Sequence, residues 1–138
     1  MKITTLTKLI LALAATFELA LAAAADTAQL PPASTKTGVT YAADIKSVFD
    51  QSCVKCHSGD KPKAKLKLDS LENALKGSKD GKVVIPGNSA KSPLVLNVAY
   101  LASDKDSWMP PLHNKANIGP LTPEQIGLIR AWIDQGAK

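Results

Sequence analysis

The chain has few aromatic residues, and only two cysteines, two methionines and two histidines in 138 residues. Beyond an apolar run near the start, no stretch is long and apolar enough to cross a bilayer. There are no internal repeats. No nucleophile paired with a base marks a catalytic centre, and no motif marks a nucleic-acid reader. The expectation is a protein with no enzyme activity of its own and no nucleic-acid partner. With the first 25 residues set aside, Tyr41, Phe49, Tyr100, Trp108 and Trp132 are the only aromatics left. A small domain with so few large side chains has a limited core. A bound apolar group would supply the missing bulk.

Residues 1–25 read as a secretory signal peptide. Lys2 and Lys8 give a positive start, Leu9 to Phe17 is apolar, and Ala22 to Ala25 offer small residues for cleavage before Asp26. Glu18 interrupts the apolar run and weakens it as a membrane span. An uncleaved anchor is the alternative. Residues 26–38 carry Pro31-Pro32 with several Ser, Thr and Ala residues and show no apolar periodicity, so they read as a flexible leader. Residues 39–138 then form one domain. No membrane span is expected once the signal is gone. The formal net charge of the whole chain is +5, a mild excess that suits redox protein partners with acidic docking surfaces. A monomer is expected.

What is present is centred on Cys53-Val54-Lys55-Cys56-His57, the pattern of a c-type haem attachment site. Each thiol can add to one vinyl group of haem, giving haem c with two thioether bonds, and His57 then lies where an imidazole nitrogen can bind iron. A zinc site would need four ligands. Cys53, Cys56, His57 and distant His113 reach that number only with adjacent Cys56 and His57 on one tetrahedral ion. A thioredoxin-like redox pair would start a helix within a βαβ pattern, whereas this pair follows a helical stretch. A structural disulfide is a further option in an exported protein. Haem attachment takes place outside the bacterial cytoplasmic membrane, so the signal and the motif both point to a periplasmic or otherwise exported protein.

Around this motif the periodicity predicts a mainly α fold. Tyr41 to Ser52 forms a helix with Ile45, Val48 and Phe49 as its apolar stripe. Lys61, Lys63, Lys65 and Lys67 alternate with Pro62, Ala64, Leu66 and Leu68, which suggests an extended segment. Its outward lysines are either a solvated face or a docking patch for an acidic partner. Ser70 caps a short helix from Leu71 to Lys76 that Gly77 ends. Val83-Val84-Ile85 reads as a brief strand. The two extended pieces could pair as a short two-stranded insert. Ser92-Pro93 starts a further helix with Leu94, Val95, Val98 and Leu101 inward.

Trp108-Met109-Pro110-Pro111 is a stiff loop, because each proline fixes its own φ and restricts the residue before it. Such a loop can hold the Met109 thioether against iron as the sixth ligand. His113 competes for that role from a polar stretch and reads better as a surface histidine. Thr122 and Gln125 have capping-box spacing, with Pro123 at the first helical position. Ile126, Ile129, Trp132 and Ile133 face one side of the last helix, which is expected to cross the first and close the pocket.

Taken in order, these pieces resemble the class I cytochrome c superfamily, and within it the small planctomycete-type cytochrome c domain. The matching features run from Tyr41–Phe49 through Cys53-Val54-Lys55-Cys56-His57, Leu66-Lys67-Leu68-Asp69-Ser70 and Val84-Ile85-Pro86-Gly87-Asn88. They continue through Lys91-Ser92-Pro93-Leu94, Met109-Pro110-Pro111 and Leu121–Ala137. The resemblance implies a helical fold around one covalent haem c, anchored by Cys53 and Cys56 and ligated by His57 and Met109. The mitochondrial-type glycine in the first helix, meeting an aromatic in the last, is absent; Val48 and Phe49 with Trp132 are the expected replacement. The function expected is a periplasmic monohaem c-type cytochrome that shuttles single electrons. A haem subunit of a larger oxidoreductase and a haem-based ligand sensor are the alternatives.

Overall fold

A computed structural model describes residues 29–138, so the expected signal at 1–25 lies outside the described residues. The fold is mainly helical. Among the described residues four α-helices, α1 (Lys46–Ser52), α2 (Leu71–Lys76), α3 (Pro93–Val98) and α4 (Pro123–Asp134), are joined by loops with single 3-10 turns at Lys63–Lys65, Ser89–Lys91 and Lys105–Ser107.

A π-turn at Tyr41–Ile45 leads into α1, so the helical stretch spans the expected residues with a wider first turn. Thr40 starts it: its hydroxyl accepts the Ala43 N–H at 3.2 Å. The Asp44 carboxylate accepts the Thr40 N–H at 2.9 Å and is paired with the Lys36 ammonium. Ile45, Val48 and Phe49 are buried, as their spacing requires. In α2 the Ser70 hydroxyl accepts the Asn73 N–H at 3.2 Å. Gly77 ends that helix at φ +93°, and a Cβ there would sit 2.5 Å from the Gly81 carbonyl oxygen. Only glycine fits this turn.

Helix α4 is the best-specified element. The Thr122 hydroxyl accepts the Gln125 N–H at 3.2 Å, and the Gln125 side chain accepts the Thr122 N–H at 2.9 Å. Pro123 takes the first helical position. Caps of this kind contribute about 1 kcal/mol each. Ile126, Ile129, Trp132 and Ile133 are buried against α1 and its leading turn. Phe49 meets Trp132 edge-on, with ring centroids 6.2 Å apart and planes at 87°. Tyr41 completes the cluster at 6.0 Å from both rings, and its hydroxyl donates to the Leu68 carbonyl at 2.8 Å. Edge-on aromatic pairs add roughly 0.5–1.5 kcal/mol beyond the area they bury. This cluster stands where Phe49 and Trp132 were expected to meet.

Two expectations are corrected. The segments 61–68 and 83–85 do not pair as a two-stranded insert; among the described residues the only bridge joins Ser78 to Gly81. The Val83 carbonyl instead accepts the Leu94 N–H at 2.9 Å, and the Ile85 N–H donates to the Ser92 hydroxyl at 2.9 Å. The edge that a hairpin would use is therefore taken by the start of α3. Lys63–Lys65 is a 3-10 turn rather than extended backbone, with Ala64 and Lys65 at φ of 53° and 54°.

The second correction concerns the leader. Residues 29–38 lie along α4 as a strap, not as a detached tether. The Ser34 N–H donates to the Gly127 carbonyl at 2.9 Å, Gln135 donates to the Lys36 carbonyl at 2.7 Å, and the Arg130 guanidinium donates to the Pro31 carbonyl. Leu30 packs against the core. Arg130 also donates to the Ser89 hydroxyl at 3.1 Å, and Ser89 is held by the Asp134 carboxylate. One polar network thus joins the strap, α4 and the turn before α3.

Candidate haem-binding site

The end of α1 runs directly into the cysteine motif. The Cys53 N–H donates to the Phe49 carbonyl at 2.8 Å. The Cys53 carbonyl then accepts from Cys56 N–H at 3.1 Å and from His57 N–H at 2.9 Å. Helical spacings of three and four put Cys53, Cys56 and His57 on one side of this turn. All three line a single cavity of about 390 Å³. Its lining is largely apolar: Leu66, Leu68, Val83, Leu94, Val98 and Leu121 contribute, and Met109 and Pro110 line it too.

The two thiols are not joined in a disulfide. Cys53 is buried and Cys56 exposed. Burial, reinforced by the neighbouring Cys56, pushes the Cys53 thiol up to about 12. A reactive redox cysteine requires the opposite, a lowered pKa that favours the thiolate. A buried neutral thiol facing an apolar cavity, with a second thiol one turn away at its edge, fits two thioether anchors.

His57 is only 7% exposed. Its Nδ1 lies 3.3 Å from the Leu66 carbonyl, which accepts the Nδ1 proton and leaves Nε2 without a proton to act as donor atom. Burial also holds the imidazole below its ordinary pKa, which favours the neutral, ligating form. Its backbone is fixed as well: the Leu68 N–H donates to the His57 carbonyl at 2.8 Å. The segment after the motif therefore folds back to orient the histidine ring. This donor set fits haem c.

Met109 is half-buried and reaches the cavity from the loop after α3. The peptide bond to Pro110 is cis. Asn114 knits the following residues together, donating to the carbonyls of Pro111 and Ile118, each at 2.8 Å. His113 is exposed, and the cavity wall includes its neighbour Asn114 but not His113 itself. Helix α4 does not line the cavity; Leu121, just before it, does. The last helix supports the site from behind through Trp132 instead of closing it. Lining residues that the sequence did not mark include Asn97, Ser107, Asn114 and Ile118. The one signal for them was Asn97, a polar residue in the otherwise apolar run of α3.

A mainly helical domain with one cavity lined by both a Cys-x-x-Cys-His turn and a methionine suggests a c-type cytochrome. Residues 53–113 match the family model described as Planctomycete cytochrome C, the stretch from the first cysteine to the end of the Met109 loop. Over these residues the chain is similar to a planctomycete-type cytochrome c domain, and a domain of that kind implies haem c. No curated protein and no solved structure matches the chain.

Proposed function

We propose that the chain is an exported, periplasmic monohaem electron carrier whose iron is ligated by His57 and Met109, with Cys53 and Cys56 as covalent anchors. The supporting observation is that His57 and Met109 share one cavity wall system while His113 stays outside it. Bound haem c supplies one-electron chemistry at its iron. The residues of this chain set the conditions for it. The Leu66 carbonyl orients His57 through Nδ1. The apolar wall keeps water from the site. A thioether ligand raises the potential relative to a second imidazole.

Cys56 lies at the surface, so the anchored edge is where electrons enter and leave. Lys61, Lys63 and Lys65 are exposed beside it, and Lys63 and Lys65 flank the cavity-lining Ala64. That arrangement favours a redox partner with an acidic docking surface.

The test is an optical spectrum of protein exported by a host that attaches c-type haem. A low-spin ferric parent with the weak red band of a methionine–iron bond, lost in Met109→Ala, supports the carrier. A parent that lacks the band and binds carbon monoxide readily refutes it. A low-spin parent without the band refutes Met109 as ligand and leaves His113 as the replacement.

A further inference from the structure

We propose that the C-terminal end of α3 is a clamp that keeps the Met109 sulfur on iron, with Asn97 and Tyr100 as its positioning residues. This inference rests on the Met109 ligation proposed above. Three bonds carry it. The Met109 N–H donates to the Asn97 carbonyl at 3.1 Å. The Asn97 side chain is joined to the Ser107 hydroxyl at 3.0 Å. The Tyr100 hydroxyl donates to the Pro110 carbonyl at 2.6 Å. The loop is therefore held two residues before Met109, at Met109 itself and one residue after it.

Aromatic contacts reinforce the same stretch. The rings of Tyr100 and Trp108 stack with centroids 5.1 Å apart and planes at 20°. Trp108 Nε1–H donates to the Ala102 carbonyl at 2.9 Å. Each residue from 107 to 110 is thus bonded to, or stacked on, the stretch 97–102. Tyr100 itself sits at φ +58°, a left-handed conformation that non-glycine residues adopt only where their surroundings impose it. Here that conformation directs the phenol onto the Met109 loop. Asn97 and Ser107 also line the cavity, so the clamp forms part of the wall that Met109 occupies.

The physical need for such a clamp follows from the ligand. A thioether is neutral and soft, and methionine has three rotatable bonds. Its sulfur stays on iron only as far as the backbone behind it is fixed, which is the orienting role of outer-shell partners at metal sites. Loosening the backbone raises the fraction of molecules with the sulfur off iron. An external ligand then binds in proportion to that fraction.

The test uses the haem-loaded full chain with Asn97→Ala, Tyr100→Phe and the remote control Thr122→Ala, which removes the α4 cap. Tyr100→Phe keeps the stacked ring and deletes only the hydroxyl. The readouts are the rate of carbon monoxide binding by the ferrous protein and the red methionine–iron band of the ferric protein. Asn97→Ala and Tyr100→Phe are each expected to raise the rate about fivefold to tenfold, the effect of one lost hydrogen bond on a local equilibrium. Both should weaken the band. Thr122→Ala should lower the unfolding temperature and leave rate and band as in the parent. If Asn97→Ala does not load haem, Ser107→Ala breaks the same side-chain bond from the other partner. A parent with the band, and clamp variants with the parental rate, overturns the clamp and leaves Met109 as ligand. A parent without the band overturns the Met109 ligation and the clamp with it.

Discussion

Gly127 lies in the first half of α4, where replacing glycine by alanine in an exposed helix gains roughly 0.8–1 kcal/mol from backbone propensity. The strap reverses that sign. A Cβ on Gly127 would sit 2.6 Å from the Pro32 carbonyl oxygen and 3.5 Å from the Ser34 nitrogen. Both are backbone atoms, so the strap itself must lift. Lifting it breaks the Ser34–Gly127 bond, a net loss of about 1 kcal/mol. It also loosens the Arg130–Pro31 bond, where the donor is charged and the loss is about 1.5 kcal/mol. Loss exceeds gain by about 1–2 kcal/mol. For a domain of this size that corresponds to a fall in Tm of roughly 4–15 °C. Thermal unfolding of the haem-loaded protein and its Gly127→Ala variant, followed by circular dichroism, reads this directly. A Tm that rises by several degrees would mean that residues 29–38 exert no hold on α4.

Asp44 gives a pH-dependent test. The Lys36 ammonium, followed by the Thr40 N–H, holds its carboxyl below the ordinary range, so the stability it contributes is present above the ordinary aspartate pKa and is lost as pH falls through the folded value. The Tm gap between parent and Asp44→Asn should accordingly close on acidification; a gap of constant size from neutral to acid pH would contradict this. Replacing Lys61, Lys63, Lys65 and Lys67 by glutamine should slow electron transfer to an acidic partner at low salt, with the difference vanishing at high salt. Equal rates at low salt would reduce these lysines to a solvated face. Trp132 is fully buried between Phe49 and Tyr41, so Trp132→Ala should cost about 3–5 kcal/mol in urea unfolding. A cost below about 1 kcal/mol would be incompatible with a core at this position.

The legible parts of the chain are those whose signals are local. Thr122, Pro123 and Gln125 specify the start of α4 within four residues, and Ser70 and Gly77 bracket α2 in the same way. The haem motif is equally local, and its three key side chains face one cavity. The alternation from Lys61 to Leu68 misled because so short a run does not separate a strand from a turn followed by an extended tail. Leu66 and Leu68 do point inward, but Ala64 and Lys65 take left-handed conformations before them. The strap was invisible for another reason. It is held through the carbonyls of Pro31 and Lys36 and the N–H of Ser34, which carry no side-chain signature. Gly127 was the remaining trace, a glycine inside an otherwise well-specified helix. The clamp on Met109 is hidden similarly, since two of its three bonds end on backbone carbonyls.

The most direct test of the central claim is the intact mass of the exported protein under denaturing conditions. The expected mass is that of the polypeptide plus one haem, retained after acid denaturation, with Cys53→Ala/Cys56→Ala at the mass of the bare polypeptide. A parent that also runs at the bare polypeptide mass, or that releases its haem on denaturation, would contradict covalent attachment at Cys53 and Cys56.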